Sequence, residues 1–249
     1  LYQLEVRLLR GDEVIDSVES YFGLRDIAVG KDMRGQRRIM LNGEPLFLLG
    51  QLDQGWWPDG LYTAPTDAAL RYDIEVMKQL GFNAVRKHVK VEPDRWYYWA
   101  DRLGILVLQD MPSGDEYIGR RDPDIERTAQ SQRAFYREWG AVIGALANHP
   151  SIVIWVPFNE GWGQFETDRV IAWTRQRDPT RLVNSPSGWA DRGSGDIVVR
   201  HAYPGPTMFP TEGYRASFLG EFGGLGLPLD GHLWRQEGSW GYRGFDTRE

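Results

Sequence analysis

The chain has 249 residues, enough for one large core or for one domain plus a fragment of another. Its 41% hydrophobic and 26% charged residues are those of a globular protein, and a net charge of −6 argues against a nucleic-acid binder, which concentrates Lys and Arg. The absence of Cys excludes a disulfide framework, a thiolate metal site and a cysteine nucleophile, and no apolar run has the length of a membrane span.

The chain opens without Met, as a processed or cut piece would. Leu4, Val6 and Leu8 alternate with Gln3, Glu5 and Arg7, a half-buried strand. Arg10-Gly11-Asp12-Glu13 turns it back into a second strand over 14–22. Such a hairpin cannot bury a face alone, so 1–28 reads as the end of a β-sandwich. The charged stretch 29–38 reads as a linker, and 39–249 as the main domain. Within it, Asn42-Gly43 is a hairpin turn between 39–41 and 46–49, the latter taken as the first strand of a parallel sheet. The loop 50–64 is long and rich in Trp, Gly, Asp and Gln, and loops of that length are usually functional.

Thr66 or Asp67 caps the next helix, whose Leu70, Ile74, Met77 and Leu80 share one face. Further strands follow at 82–85, 105–108, 152–156, 182–184, 197–199 and 218–219. Helices are expected near 93–103, 125–147 and 166–176, with Pro93 at a helix start. The alternation of strand and helix implies an α/β fold with a parallel sheet, either doubly wound or a TIM-type (β/α)8 barrel. No G-x-G-x-x-G follows the first strand, which disfavours a dinucleotide fold. No eighth strand is legible after Glu221, and the tail 223–249 reads as loop.

Two stretches share one grammar. Ile152-Val153-Ile154-Trp155-Val156 is an apolar strand that Pro157 ends, just before Asn159-Glu160-Gly161. Ser217-Phe218-Leu219-Gly220 delivers Glu221 in the same way. Two glutamates at the C-terminal mouth of a parallel barrel point to glycoside hydrolysis. Carboxylates that close do not both ionise easily, so a shared proton is expected on Glu160, with Glu221 ionised beside Arg86. His88 is a candidate to contact a sugar hydroxyl, or a satisfied structural residue; Asp53, Asp110, Trp189 and His201 are candidates for the pocket wall, Asp53 first because its loop faces the non-reducing sugar. The loop aromatics Trp56, Trp57, Trp162, Trp189 and Trp240 fit a saccharide cleft, or simply pack.

The blocks Tyr21-Phe22-Gly23-Leu24-Arg25, Leu41-Asn42-Gly43, Gly81-Phe82-Asn83-Ala84-Val85-Arg86, His149-Pro150-Ser151 with Asn159-Glu160, and Gly220-Glu221-Phe222-Gly223-Gly224 resemble, in order, the catalytic domain of glycoside hydrolase family 2. That family includes β-galactosidases, β-glucuronidases and β-mannosidases. The resemblance implies a retaining glycosidase acting on an oligosaccharide or glycoside, with Glu160 as acid/base and Glu221 as nucleophile. It implies that Asn159 binds the sugar 2-hydroxyl, that Tyr203 lies near the nucleophile, and that an immunoglobulin-like sandwich precedes the barrel. The Asn-Arg-His-Glu motif of the galactosidases is replaced here by Gln51-Leu52-Asp53-Gln54-Gly55-Trp56-Trp57, which leaves the sugar open. No metal or other cofactor is expected. An open barrel exposes strand edges, so a second copy or a partner chain is expected to complete it, unless the chain is a fragment. The alternatives are a non-catalytic carbohydrate-binding or scaffold fragment, and a barrel hydrolase of different chemistry.

Overall fold

The computed structural model describes residues 1–112, 114–235 and 237–248. β1 (Tyr2–Arg10) and β2 (Glu13–Phe22) form an antiparallel ribbon exposed on both faces. Its far end is tied down by chemistry, not area. The Arg25 guanidinium donates to the carbonyls of Pro150, Thr180 and Ile152, the last at 2.7 Å. Tyr21, His149 and the Ser151 N–H all converge on the buried Asp101 carboxylate. The Tyr21–Arg25 and His149–Ser151 blocks thus seat the strand that leads to Glu160.

Where a linker was expected at 29–38, the chain folds back on itself. β3 (Ile27–Lys31) pairs antiparallel with β4 (Arg37–Leu41) around a turn in which Asp32 accepts from the N–H groups of Arg34 and Gln36. The reason is a two-residue alternation that the charges hide. Ile27 and Ile39 are buried with Ile154, Val156, Leu182 and Val199, while Lys31 and Arg38 stay outside. Asn42 and Gly43, both left-handed at φ 52 and 83, turn β4 into β5 (Glu44–Pro45).

The first parallel strand is not 46–49 but β6 (Gly50–Asp53). The side-chain amide of Asn83 occupies the backbone of 47–49: its Nδ2 donates to Phe47 O and its Oδ1 accepts from Leu49 N. The ladder starts at Gly50, where a Cβ would meet the carbonyl oxygen of Ala84 at 2.4 Å. After α1 (Asp67–Gln79) comes β7 (Ala84–Lys87), then α2 (Asp94–Leu103), β8 (Leu106–Asp110), α3 (Ala129–Leu146), β9 (Ile152–Val156), α4 (Thr167–Arg177) and β10 (Leu182–Val183). Strands β6 to β10 form one parallel sheet in chain order. A parallel bridge from Asn184 to Ile197 leads to β11 (Ile197–His201), which pairs with β12 (Ala216–Glu221). Among the described residues the sheet neighbours end at β6 on one side and β12 on the other; β13 (Leu225–Gly226) and β14 (Arg243–Gly244) pair only with each other.

The helices cover the outer face of the sheet. Thr66 caps α1 by accepting from Ala69 N, and Leu70, Ile74 and Met77 are buried; Leu80, at the helix end, is instead 62% exposed. Pro93 is the N-cap of α2, one position before its expected place. Trp139 of α3 meets Trp155 of β9 edge to face at 5.5 Å, and the Trp155 indole N–H donates to Asp178 just past α4. Among the described residues no helix is long and apolar enough to cross a membrane.

Candidate active site

Strand β9 runs straight to the site. All five of its residues are buried, Pro157 ends it, and Asn159 bridges to Ser187. The Glu160 N–H then donates to Ser187 O at 2.7 Å, and its backbone lies in the left-handed region at φ 54. Gly161 follows at φ 84, where a Cβ would clash with the carbonyl of Ile118. Glu221 is the last residue of β12, and its side chain is 6% exposed against 22% for Glu160.

The two carboxyl groups meet through His201 at the end of β11. Its Nδ1 lies 2.7 Å from Glu160 Oε1 and 3.4 Å from Glu221 Oε2, while Nε2 faces Ser187 Oγ at 2.8 Å. The nearest polar atoms of Glu160, His201 and Glu221 all fall within 4.8 Å of one another. Three groups so close have the spacing to ligate one cation.

Behind Glu221 stands Arg86 of β7, fully buried. Its Nη1 donates to Glu221 Oε1 at 2.7 Å, Nη2 to Asn159 Oδ1 at 2.7 Å, and Nε and Nη2 grip Asp110 at 3.0 and 2.9 Å. Burial works to raise the Asp110 carboxyl, but the Arg86 charge and the hydrogen bonds from His88 and Arg86 outweigh it and hold the group below the usual carboxylate range. The Tyr203 hydroxyl donates to Glu221 Oε2 at 2.6 Å. Burial first, then that hydrogen bond, pushes its phenol far up, so it remains a donor. The Tyr203–Pro204 peptide is cis, and Tyr242 stacks on the Tyr203 ring at 3.8 Å.

Of the residues singled out from sequence, Asn159, Arg86, Tyr203, His201 and Asp110 gather round Glu160 and Glu221. His88 stands behind Asp110, 2.9 Å from its Oδ2, and Trp189 packs edge-on to His201. Asp53 is elsewhere. It is the ladder partner of Lys87 and shares its face, on the helix side of the sheet, where Lys87 lies over the Trp96 ring. Lys87 and Lys90 both reach Glu92, and Lys90 Nζ also donates to Gly55 O. Ser187 and Tyr242 were not singled out; both lie in loops, and only the aromatic-glycine run Trp240-Gly241-Tyr242 carries a signal in the sequence.

The buried charges around Asp53 reach Asp73 of α1. Burial, then the negative charge of Asp53, raises its carboxyl to about 6. A raised carboxyl favours the folded state below the unfolded value near 3.8 and loses that contribution as pH rises through about 6. Asp73→Asn is therefore expected to stabilise the chain at pH 7–8 by about 1 kcal/mol, discounted for partial exposure, and to be neutral near pH 4. Melting curves across that range check it; an equal effect at both ends would refute the assignment.

Compared with known proteins, residues 36–208 match the model for the TIM barrel domain of glycosyl hydrolases family 2. The chain is 30% identical over 202 residues to a β-galactosidase of Vibrio cholerae, covering 80% of this chain and 19% of that protein. It is 32% identical over 203 residues to β-galactosidase 2 of Enterobacter cloacae, with the same coverage of 80% and 19%. The chain thus spans about a fifth of the length of the curated relatives it matches. Its fold resembles that of a β-glucuronidase from Parabacteroides merdae, with a TM-score of 0.64 at 20% identity over 82% of this chain and 25% of that one. At that identity the likeness is one of fold.

Proposed function

Since this chain belongs to glycosyl hydrolase family 2 and carries its TIM-barrel domain, we propose that it hydrolyses β-glycosidic bonds with retention of configuration. The observation that carries this reading is the approach of Glu160 and Glu221 to within 4.8 Å. Retaining pairs stand roughly 5 Å apart, whereas inverting pairs leave room for a water at about 6.5–9.5 Å. Glu221 attacks the anomeric carbon as the glycosidic C–O bond breaks, and the leaving oxygen takes its proton from Glu160. Glu160 then takes a proton from water, whose oxygen displaces Glu221 and restores both groups. Arg86 and Tyr203 donate to Glu221, interactions strongest with the ionised form. Arg86 occupies Asn159 Oδ1, leaving the amide N–H2 to meet the sugar 2-hydroxyl. Trp189 and His201 line the approach to Glu160, and Asp110, itself held by His88, holds Arg86 in place.

The same reading makes the exposed ribbon β1–β2 part of an immunoglobulin-like sandwich. It puts an eighth strand between β12 and β6, supplied by further chain, a second copy or a partner. The open sheet ends also favour a second reading, a sugar-binding fragment without turnover. A slow fluorinated aryl β-glycoside with a good leaving group separates the two. The expected result is a mass increase of one glycosyl unit that peptide mapping places on Glu221. A label elsewhere, or a product of inverted anomeric form, sinks the retaining mechanism; sugar binding with neither label nor turnover favours the fragment.

A further inference from the structure

A cleft of about 400 Å3 opens beside Glu160, lined by Tyr117, Arg120, Gly188, Trp189, Arg200 and His201. Consecutive strand residues normally face opposite sides of a sheet. Arg200 and His201 nevertheless line the same cleft, because the β11–β12 register shifts between them. Such an irregularity re-aims a side chain. Gly188, at φ 106, brings the wall against the acid: a Cβ there would stand 3.2 Å from Glu160 Cγ and 3.3 Å from His201 Nδ1. Two walls of the cleft, Gly188 and His201, thus abut the side chain read above as the proton donor to the leaving oxygen, while Glu221 is backed by Arg86 and Tyr203.

Two guanidinium groups in that cleft have no carboxylate to answer them. Among the described residues neither Arg120 nor Arg200 makes an ion pair; Arg200 rests over the Phe209 ring at 5.9 Å. Three aspartates of the neighbouring loop are engaged elsewhere: Asp115 with Ser131, Asp122 with the Gly119 N–H, and Asp124 with Thr167 and Arg192; Glu116 makes no ion pair with either arginine. Trp189 and Tyr117 add ring surface to the same walls, and Tyr117 meets Trp162 at 5.2 Å. Unpaired arginines beside aromatic rings form a receptor for a planar or tetrahedral oxyanion carried on an apolar-faced ring.

The geometry points to a sugar bearing an oxyanion substituent, a uronate carboxylate or a sulfate ester, on the leaving-group side of the scissile bond, held by Arg120 and Arg200. This rests on the glycosidase reading above, and it names which half of the substrate carries the charge. A glycosyl-enzyme attacked by an acceptor sugar uses that same side, so acceptor choice reads the cleft whatever sugar occupies the other.

The test uses a nitrophenyl β-glycoside that the full protein turns over, with glucuronate, glucose 6-sulfate or glucose as added acceptor. Partition of the glycosyl group toward an anionic acceptor is expected to exceed that toward glucose by about tenfold, and to fall toward parity at high salt. In the Arg120→Ala/Arg200→Ala variant the ratio of anionic to neutral acceptor is expected to collapse to about one. Preference for glucuronate alone assigns a carboxylate, and for glucose 6-sulfate alone a sulfate; preference for both assigns an oxyanion of either kind. Equal use of all three, or a preference that survives the double substitution, overturns the inference. Saturation-transfer NMR with the same three sugars needs no turnover. A chain inactive on every glycoside would refute the glycosidase reading. Selective, arginine-dependent transfer to the anionic sugars would still uphold the cleft's ligand, and its absence would refute that separately.

Discussion

Glu221→Gln is expected to lower kcat on the order of 10⁴-fold or more while leaving the circular dichroism spectrum unchanged. The amide keeps the shape of the carboxylate and its oxygen can still accept from Arg86 or Tyr203, so the fold has no reason to fail. What it loses is the electron pair that attacks the anomeric carbon. Glu160→Gln is the necessary contrast. Removing a general acid costs about 10²–10⁴-fold when the leaving group needs a proton. With dinitrophenolate, which leaves without one, the loss in the first step shrinks. The two variants therefore differ in kind: one is dead toward every leaving group, the other only toward poor ones. A Glu221→Gln protein retaining more than about 1% of parent activity would rule out its role as nucleophile.

Arg86→Met is expected to do the largest damage to stability. Arg86 is the sole cation in contact with both Asp110 and Glu221 among the described residues, and all three side chains are buried. Breaking a buried pair by removing one partner costs about 3–5 kcal/mol, roughly 10 °C in melting temperature for a chain of this size. The pH dependence carries the sign. Because Arg86 holds the Asp110 carboxyl below its ordinary range, that contribution is present above the unfolded value near 3.8 and is lost as pH falls through the lower folded value. In the variant the orphaned Asp110 carboxylate gains a proton more readily, so the deficit is largest at neutral pH and narrows in acid. Adding Asp110→Asn is expected to recover part of the loss. A single variant melting within about 2 °C of the parent at pH 7 would show that the cluster is not what holds these strand ends together.

Much of this arrangement was legible in the residues. The strand 152–156 could be read to the residue, since a continuous apolar run closed by Pro157 has few other solutions. Glu221 closes its own strand, and Glu160 follows the end of 152–156 by four residues, so two parallel strands carry both acids to the same end of the sheet. Asp53 shows where that reasoning breaks. The sequence puts it on a loop that follows a strand at 46–49 and faces the sugar, but the ladder begins at Gly50 and pairs Asp53 with Lys87. Side-chain direction in a strand has a period of two, so register decides which face a residue serves, and register is fixed by Asn83 and by a glycine contact that no local pattern shows. The β3–β4 hairpin was hidden for a similar reason: charged residues between Ile27 and Ile39 dominate its composition, while only the alternating few are buried. Ser187 and Tyr242 come from loops whose closeness to the site is decided by the fold as a whole.

The left-handed backbone at Glu160 has one more consequence. An L residue with a long side chain is less stable in that conformation by about 1–2 kcal/mol, and glycine bears no such penalty. Durability and chemistry are thus set against each other at a single position. Propagated under heat with no demand for turnover, a lineage of this chain would drift toward glycine at 160 and grow sturdier as it fell silent.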